Sequence, residues 1–395
     1  MQYLLPIIAT ASFAGSLSVR AMDPVLPQVA SELLVTIQTA AMLASAFAFT
    51  FAMIQPALGM VADAFGKPKL IFICLILLGA ANIVGAFSTS FEVLLVTRVL
   101  AGIGGGGVMP VTLGLVGDIF PIQQRQVAMG RVLAGAMAGN LLGATFSGLI
   151  GDHVGWRGVL VVMGALVLAA SAAVGWGFRH QMRGARKPTD IATIIGNYRS
   201  IFAHPHARVC YPAVFIEGSC VLGLFPFVAA FLADLGEPRL SIAGIVIAGF
   251  AVGGLVYSTS VARLLPWLGE KGLMIGGGLL VASQLVIVAL GPPWQAQIVN
   301  FVVMGCGFYM IHGSLQTFAS EISVEARGTA VGLHAFHFFL GQTAGPLAYG
   351  FGVSHLGKVP TLLFAAAIML LLGIACAHWL RHRHARVAED KPAQE

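Results

Sequence analysis

The stretch RQVAMGRVLAGAMAGNLLGATFSG, residues 125–148, returns in outline as RGTAVGLHAFHFFLGQTAGPLAYG, residues 327–350. Arg125, Ala128, Gly130, Gly139, Gly143 and Gly148 match Arg327, Ala330, Gly332, Gly341, Gly345 and Gly350, every pair 202 positions apart. The same offset pairs Asn140 with Gln342 and Pro24 with Pro226. Glycine is frequent here, so one match means little. A single offset shared by several residue types points to an internal duplication, the feature to seek before any local motif. Within the first copy Gly135, Gly139, Gly143, Ser147 and Gly151 recur every fourth residue, which makes a smooth helix face for close helix packing. Packing is the simple reading of that face, and a sliding interface the functional one.

The surroundings of the duplicated stretch say where such helices sit. Of 395 residues 57% are hydrophobic and only 10% charged, with mean hydropathy +0.88 and 49 glycines. A soluble domain carries about 25% charged residues, so there is too little charge here to face water. A membrane helix needs about 20 apolar residues, and twelve runs of that order can be traced. They lie near 4–28, 38–61, 69–88, 91–118, 126–151, 156–178, 208–233, 240–264, 272–291, 295–318, 328–353 and 359–380. The predicted fold is therefore an all-α membrane protein of twelve transmembrane helices in two pseudo-symmetric six-helix bundles. The expected organisation is a first bundle over 1–178, a linker over 179–207, a second bundle over 208–381 and a tail over 382–395.

Charge sets the orientation. With both termini in the cytoplasm, the cytoplasmic segments hold 17 of the 22 Lys and Arg residues, against Arg157, Arg239 and Lys358 outside and Arg20 and Arg98 within spans. That is a strong positive-inside bias, and it predicts a multi-pass protein of the inner or plasma membrane with both termini cytoplasmic. The net charge of +6 sits in short gaps between apolar runs, so no nucleic-acid partner is expected. The partner expected is the lipid bilayer. The five cysteines lack paired or metal-type spacing. The linker stretch around Ile191–Ile201 is amphipathic and reads either as a helix lying on the inner leaflet or as a flexible tether.

Between the second and third spans, Gly59-Met-Val-Ala-Asp63-Ala-Phe-Gly66-Lys67-Pro68-Lys69 resembles the signature loop of the major facilitator superfamily. Arg98 with Gly102 resembles its second motif, and Gly139-Asn-Leu-Leu-Gly143-Ala144, followed by Gly155-Trp156-Arg157, its antiporter motif. Ala64 stands where a basic residue is usual and Ala144 where proline is usual, although the second half has Gly345-Pro346. The resemblance covers essentially the whole chain and extends to drug:proton antiporters. It implies alternating access, with Gly59, Asp63, Gly66 and Lys67 as a gating loop and Asp63 facing the N-terminus of span 11. Asp63 lies where a helix N-terminus would favour its carboxylate.

Ionisable side chains at membrane depth are costly and are functional candidates by default. Arg20 and Asp23 lie three apart, on one helical face of the first span, and depth permits a cluster with Arg98. Substrate binding or coupling competes there with a structural tie between spans 1 and 4. Glu217, near mid-depth of the seventh span, has no basic residue within a helical turn and reads as a proton carrier, a cation site or a carboxyl held by the bundle. His312, His334 and His337 lie in the inner halves of spans 10 and 11, where proton coupling competes with ordinary packing. No nearby Cys or carboxylate completes a metal set. Asn140 and Gln342 join the candidates as the polar pair of the duplication. Gly102, Gly104 and Gly107 match a dinucleotide fingerprint by spacing but follow no strand.

No nucleophile–base pair, metal set or cofactor motif is present, so an enzyme is not expected. The expected function is proton-coupled efflux of a small drug-like or amphipathic substrate by a monomer. Uptake or exchange of a small metabolite is the alternative on the same fold, and a non-transporting receptor the alternative of another class.

Overall fold

A computed structural model describes residues 4–180, 191–323 and 326–380. Among these residues there are helices and no strands. Eight helices are long and apolar enough to cross a bilayer. Two of them, Val127–Gly177 and Leu240–Leu290, each hold two crossings, broken at Gly155 (φ 77°) and Gly269 (φ 64°). Added β-carbons would place Gly135 against Ala9 and Gly177 against Ile7, so the chain has returned to the same depth after Gly155. With the interrupted first helix and Arg327–His355, the twelve predicted spans are present. We number them 1 to 12.

The breaks inside spans repeat with the sequence. Span 1 consists of Leu4–Leu17, a bend over 18–22, a tight turn at Asp23–Val25 and Leu26–Glu32. Span 7 consists of Ala207–Glu217, a widened turn at Gly218–Leu222, a tight turn at Phe225–Phe227 and Val228–Asp234. Asp23–Val25 and Phe225–Phe227 differ by the same 202 positions, each centred on a proline that lacks the N–H an α-helix needs. The first-span expectation is corrected here: Arg20 and Asp23 do not share the face of a continuous helix. They sit in and just after the bend that Pro24 helps to create.

The recurring glycines make the closest contacts of the fold. A β-carbon at Gly139 would collide with the carbonyl of Phe13, and one at Gly341 with that of Phe215. Gly143 against Leu17 is matched by Gly345 against Ser219. Spans 5 and 11 thus lie on spans 1 and 7 in the same register, as small residues permit in lipid. The sliding-interface expectation is corrected for this part of the stripe, because Gly135, Gly139 and Gly143 form a seam inside the first half. Of the stripe only Gly151 reaches the other half, at Leu240, where the repeat glycine Gly148 also lies.

The two ends of the bundle differ. At the end carrying Gly155, Ala21, Met22, Val25 and Leu26 share one buried cluster with Leu224, Phe225, Phe227 and Leu240. Asp152 reaches across the halves there, and its two carboxylate oxygens accept from the backbone N–H groups of Leu240 (2.8 Å) and Ser241 (2.9 Å). At the end carrying Gly66, the segment Ile191–Ala203 is a helix. It buries Ile201 against Ala207, Tyr211 and Ile322, and Tyr198 Oη donates to the carbonyl of Pro56. The segment is thus helical over Ile191–Ala203 and packs against the protein through Ile201 and Tyr198. The remaining linker residues 181–190 and the predicted tail 382–395 lie outside them.

Candidate functional site

A cavity of about 510 Å³ lies between the halves. Spans 5 and 8 are in close contact where Ala144 and Gly148 meet Gly244 and Leu240. Closer to the Gly66 end, Ala134, Met137 and Leu141 stand across the cavity from Ala251 and Leu255. The opposite seam stays closed at matching depth, with Phe51 of span 2 and Phe339 of span 11 at 3.9 Å between ring centroids. Much of the lining is aromatic, including Phe225, Phe250, Phe308, Tyr309 and Phe338. The polar lining includes Arg20, Gln55, Asn140 and Gln342, and Arg20 is its one charged side chain among the described residues.

The interrupted spans put these groups at the cavity. Arg20, freed from helical geometry by the bend, donates from Nη2 to Gln342 Oε1 at 2.6 Å and from Nη1 to Asp23 Oδ2 at 3.5 Å. Its guanidinium lies 4.9 Å from the ring centre of Phe225, a favourable cation–π placement. Arg20 therefore belongs to one half and finds two of its partners in the other. Arg98 lines a smaller recess together with Arg20 and Asp23, so the predicted cluster assembles in part. Its own hydrogen bond runs to Asn82 Oδ1 at 2.9 Å, and it stacks over Phe47 at 4.7 Å. Asn82 in turn donates to Ser18, which ties spans 1, 3 and 4. Asn140 lines the cavity from span 5.

Glu217 corrects the expectation of a carboxyl without a basic neighbour. It is fully buried, and its Oε1 meets Nδ1 of His312 from span 10. Sequence spacing could not reveal the pair, because 95 residues separate its members. Oε2 of Glu217 has no hydrogen-bond partner among the described residues, nor has Nε2 of buried His334. The rings of His312 and His334 are 5.1 Å apart. A buried polar atom without a partner calls for an explanation, and two of them lie on this short chain of titratable groups. His337 stands apart from it. It stacks on Tyr211 at 4.9 Å and bonds the carbonyl of Leu333.

In the predicted gating loop, Gly66 adopts φ 82° and ends the helix Leu58–Phe65, and Lys67 opens span 3. Lys67 Nζ pairs with Asp118 at the end of span 4, at 2.5 Å; the sequence reading had not singled out Asp118. The surroundings of Gly59 and the side chain of Asp63 lie outside the described residues. No group of three metal-binding side chains occurs among the described residues.

Comparison with known proteins gives a consistent picture. The family model described as Major Facilitator Superfamily matches residues 8–336. Multidrug resistance protein 1 of Bacillus subtilis is 24% identical over 373 residues, 94% of each chain. The quinolone resistance protein NorA of Staphylococcus aureus is 28% identical over 338 residues, covering 83% of this chain and 84% of that one. Among solved structures, a bacterial homologue of the human lysosomal transporter Spinster, inward-facing, superposes with TM-score 0.74 at 19% identity, over 96% of this chain and 94% of that one. The nucleoside transporter NupG superposes with TM-score 0.77 at 15% identity, over 96% and 100%. At these identities the two structures bear on the fold alone.

Proposed function

The chain belongs to the Major Facilitator Superfamily, a family of multi-pass membrane transporters, and from that premise we propose that it exports a small amphipathic molecule by proton-coupled alternating access. The observation that carries this reading is the cavity between the halves, with an aromatic wall and the buried Glu217–His312 pair beside it. Aromatic surface binds the apolar body of a ligand, and a few convergent polar groups orient it. Arg20, Gln342 and Asn140 supply those groups, and they favour a substrate with a hydrogen-bond acceptor or an anionic group. Glu217, His312 and His334 take up and release the proton. The likeness to a multidrug resistance protein and a quinolone resistance protein supports the choice of substrate class and of export.

Residues 1–178 and 208–381 act as the two rocking units, as parallel repeats do in such transporters. Both termini face the cytoplasm of the inner or plasma membrane, by the Lys and Arg bias, so the cavity widens towards the cytoplasmic side. The loop Gly59–Lys67, with Asp63, gates that side, and the protein works as a monomer. Asp152 gates the other side, since its carboxylate caps the N-terminus of span 8 from the opposite half. At an exposed carboxylate such a contact is worth about 0.3–1 kcal/mol. Asp152→Ala is expected to shift the population severalfold towards opening at the Gly155 end. A cysteine placed at buried Val25 would then react faster with a membrane-impermeant maleimide, and an unchanged rate would remove Asp152 from the gate.

The direct test is transport in proteoliposomes under an imposed pH gradient, screening lipophilic anions, cations and neutral aromatic compounds. Export predicts accumulation against the substrate gradient when protons flow the other way, with amphipathic acceptors preferred. Transport indifferent to the gradient would remove proton coupling. Movement of substrate in the direction of proton flow would favour uptake, the reading to which the polar group around Arg20 also lends itself.

A further inference from the structure

We propose that the groove between spans 7 and 12 at the Gly66 end holds one anionic phospholipid, with its phosphate at Arg208 and an acyl chain along the groove. The groove encloses about 320 Å³ and is separate from the central cavity. Buried Ala213, Leu372 and Cys376 line it together with the more exposed Pro212, Leu371 and Trp379. Leu371 and Trp379 are 64% and 62% exposed, so the groove opens outward, to lipid. Arg208 stands at its mouth, exposed and without a hydrogen bond or ion pair among the described residues.

The dimensions match one leaflet. Arg208 to Ile216 rises roughly 12 Å and Ile368 to Trp379 roughly 16 Å, against about 15 Å for half the hydrocarbon core. Trp379 lies at the same end as Arg208, the interfacial level that tryptophan favours. The duplicated scaffold does not require this feature. At the offset of 202, Arg208 corresponds to Pro6, so the charge at the start of span 7 belongs to the second half alone.

The test uses the purified full-length chain in micelles doped with acyl-brominated phospholipid, which quenches tryptophan at short range. Subtracting the Trp379→Phe signal isolates the response of Trp379. Brominated phosphatidylglycerol is expected to quench it at severalfold lower mole fraction than brominated phosphatidylcholine. Arg208→Gln should bring the two curves together, and Arg208→Lys should keep them apart, with all three variants eluting as the native protein does. Coincident curves in the native protein would overturn the proposal, as would a separation that survives Arg208→Gln. Quenching by neither lipid would also overturn it and would point to the chain's own tail as the occupant.

Discussion

Glu217→Gln is expected to reduce gradient-driven transport to the level of protein-free liposomes, while substrate binding to the detergent-solubilised protein is retained. The carboxyl is fully buried, one oxygen against His312 and the other without a partner among the described residues. Glutamine keeps the size of the side chain and an oxygen acceptor, and removes both the negative charge and the ability to gain and lose a proton. A role as a neutral, hydrogen-bonded carboxyl would therefore survive the change. His312→Ala tests the pair from the other side. Removing one partner of a buried ion pair typically costs about 3–5 kcal/mol, so a charged pair predicts that His312→Ala, like Glu217→Gln, also loses thermal stability. Glu217→Gln with native gradient-driven transport would sink the proton-carrier assignment. His312→Ala with native melting would show that the pair carries no charge when the protein rests.

The sequence made the scaffold readable because lipid imposes simple rules. Apolar runs of bilayer length, the Lys and Arg bias and the 202-residue offset were all visible without coordinates. The offset predicts detail below the level of helices. Leu34 (φ 54°) and Gly236 (φ 86°) share a left-handed backbone at matching positions, as do Gly155 (φ 77°) and Gly357 (φ 90°). A duplicated pattern carries such turns with it because the same chain reversal needs the same dihedral.

The site was less readable, and the reason is where its partners lie. Arg20 finds Gln342 across 322 positions, and Glu217 finds His312 across 95. Helical periodicity reports neighbours three or four apart and says nothing of contacts between spans. Reading span 1 as unbroken concealed a second fact, that the bend at 18–22 aims Arg20 at the other half. Pro24 carried that signal, and its match with Pro226 could have been read as a paired interruption. Asp152 and Asp118 were missed because they lie at span ends, where a charge is unremarkable until its partner is known.

The packing seam yields the largest expected effect on stability. Gly143→Ala should lower the melting temperature of the purified protein sharply, whereas Gly130→Ala should leave it unchanged or raise it slightly. Both glycines lie on span 5 and both belong to the repeat, so sequence alone would treat them alike. A β-carbon at Gly143 would collide with the backbone carbonyl of Leu17, and one at Gly130 meets nothing within 4 Å. Overpacking usually costs about 1–3 kcal/mol when side chains can yield. Here the obstacle is main chain on a helix that is itself packed, so the cost should reach the upper end of that range or exceed it. At Gly130 alanine instead gains about 0.5–1 kcal/mol of helix preference over glycine. Gly345→Ala provides the replicate, because its β-carbon would meet the carbonyl of Ser219 and the backbone of Gly223. If Gly143→Ala and Gly345→Ala melted with the native protein, the two seams would have to be looser than their register implies. The shared offset would then describe ancestry without close packing.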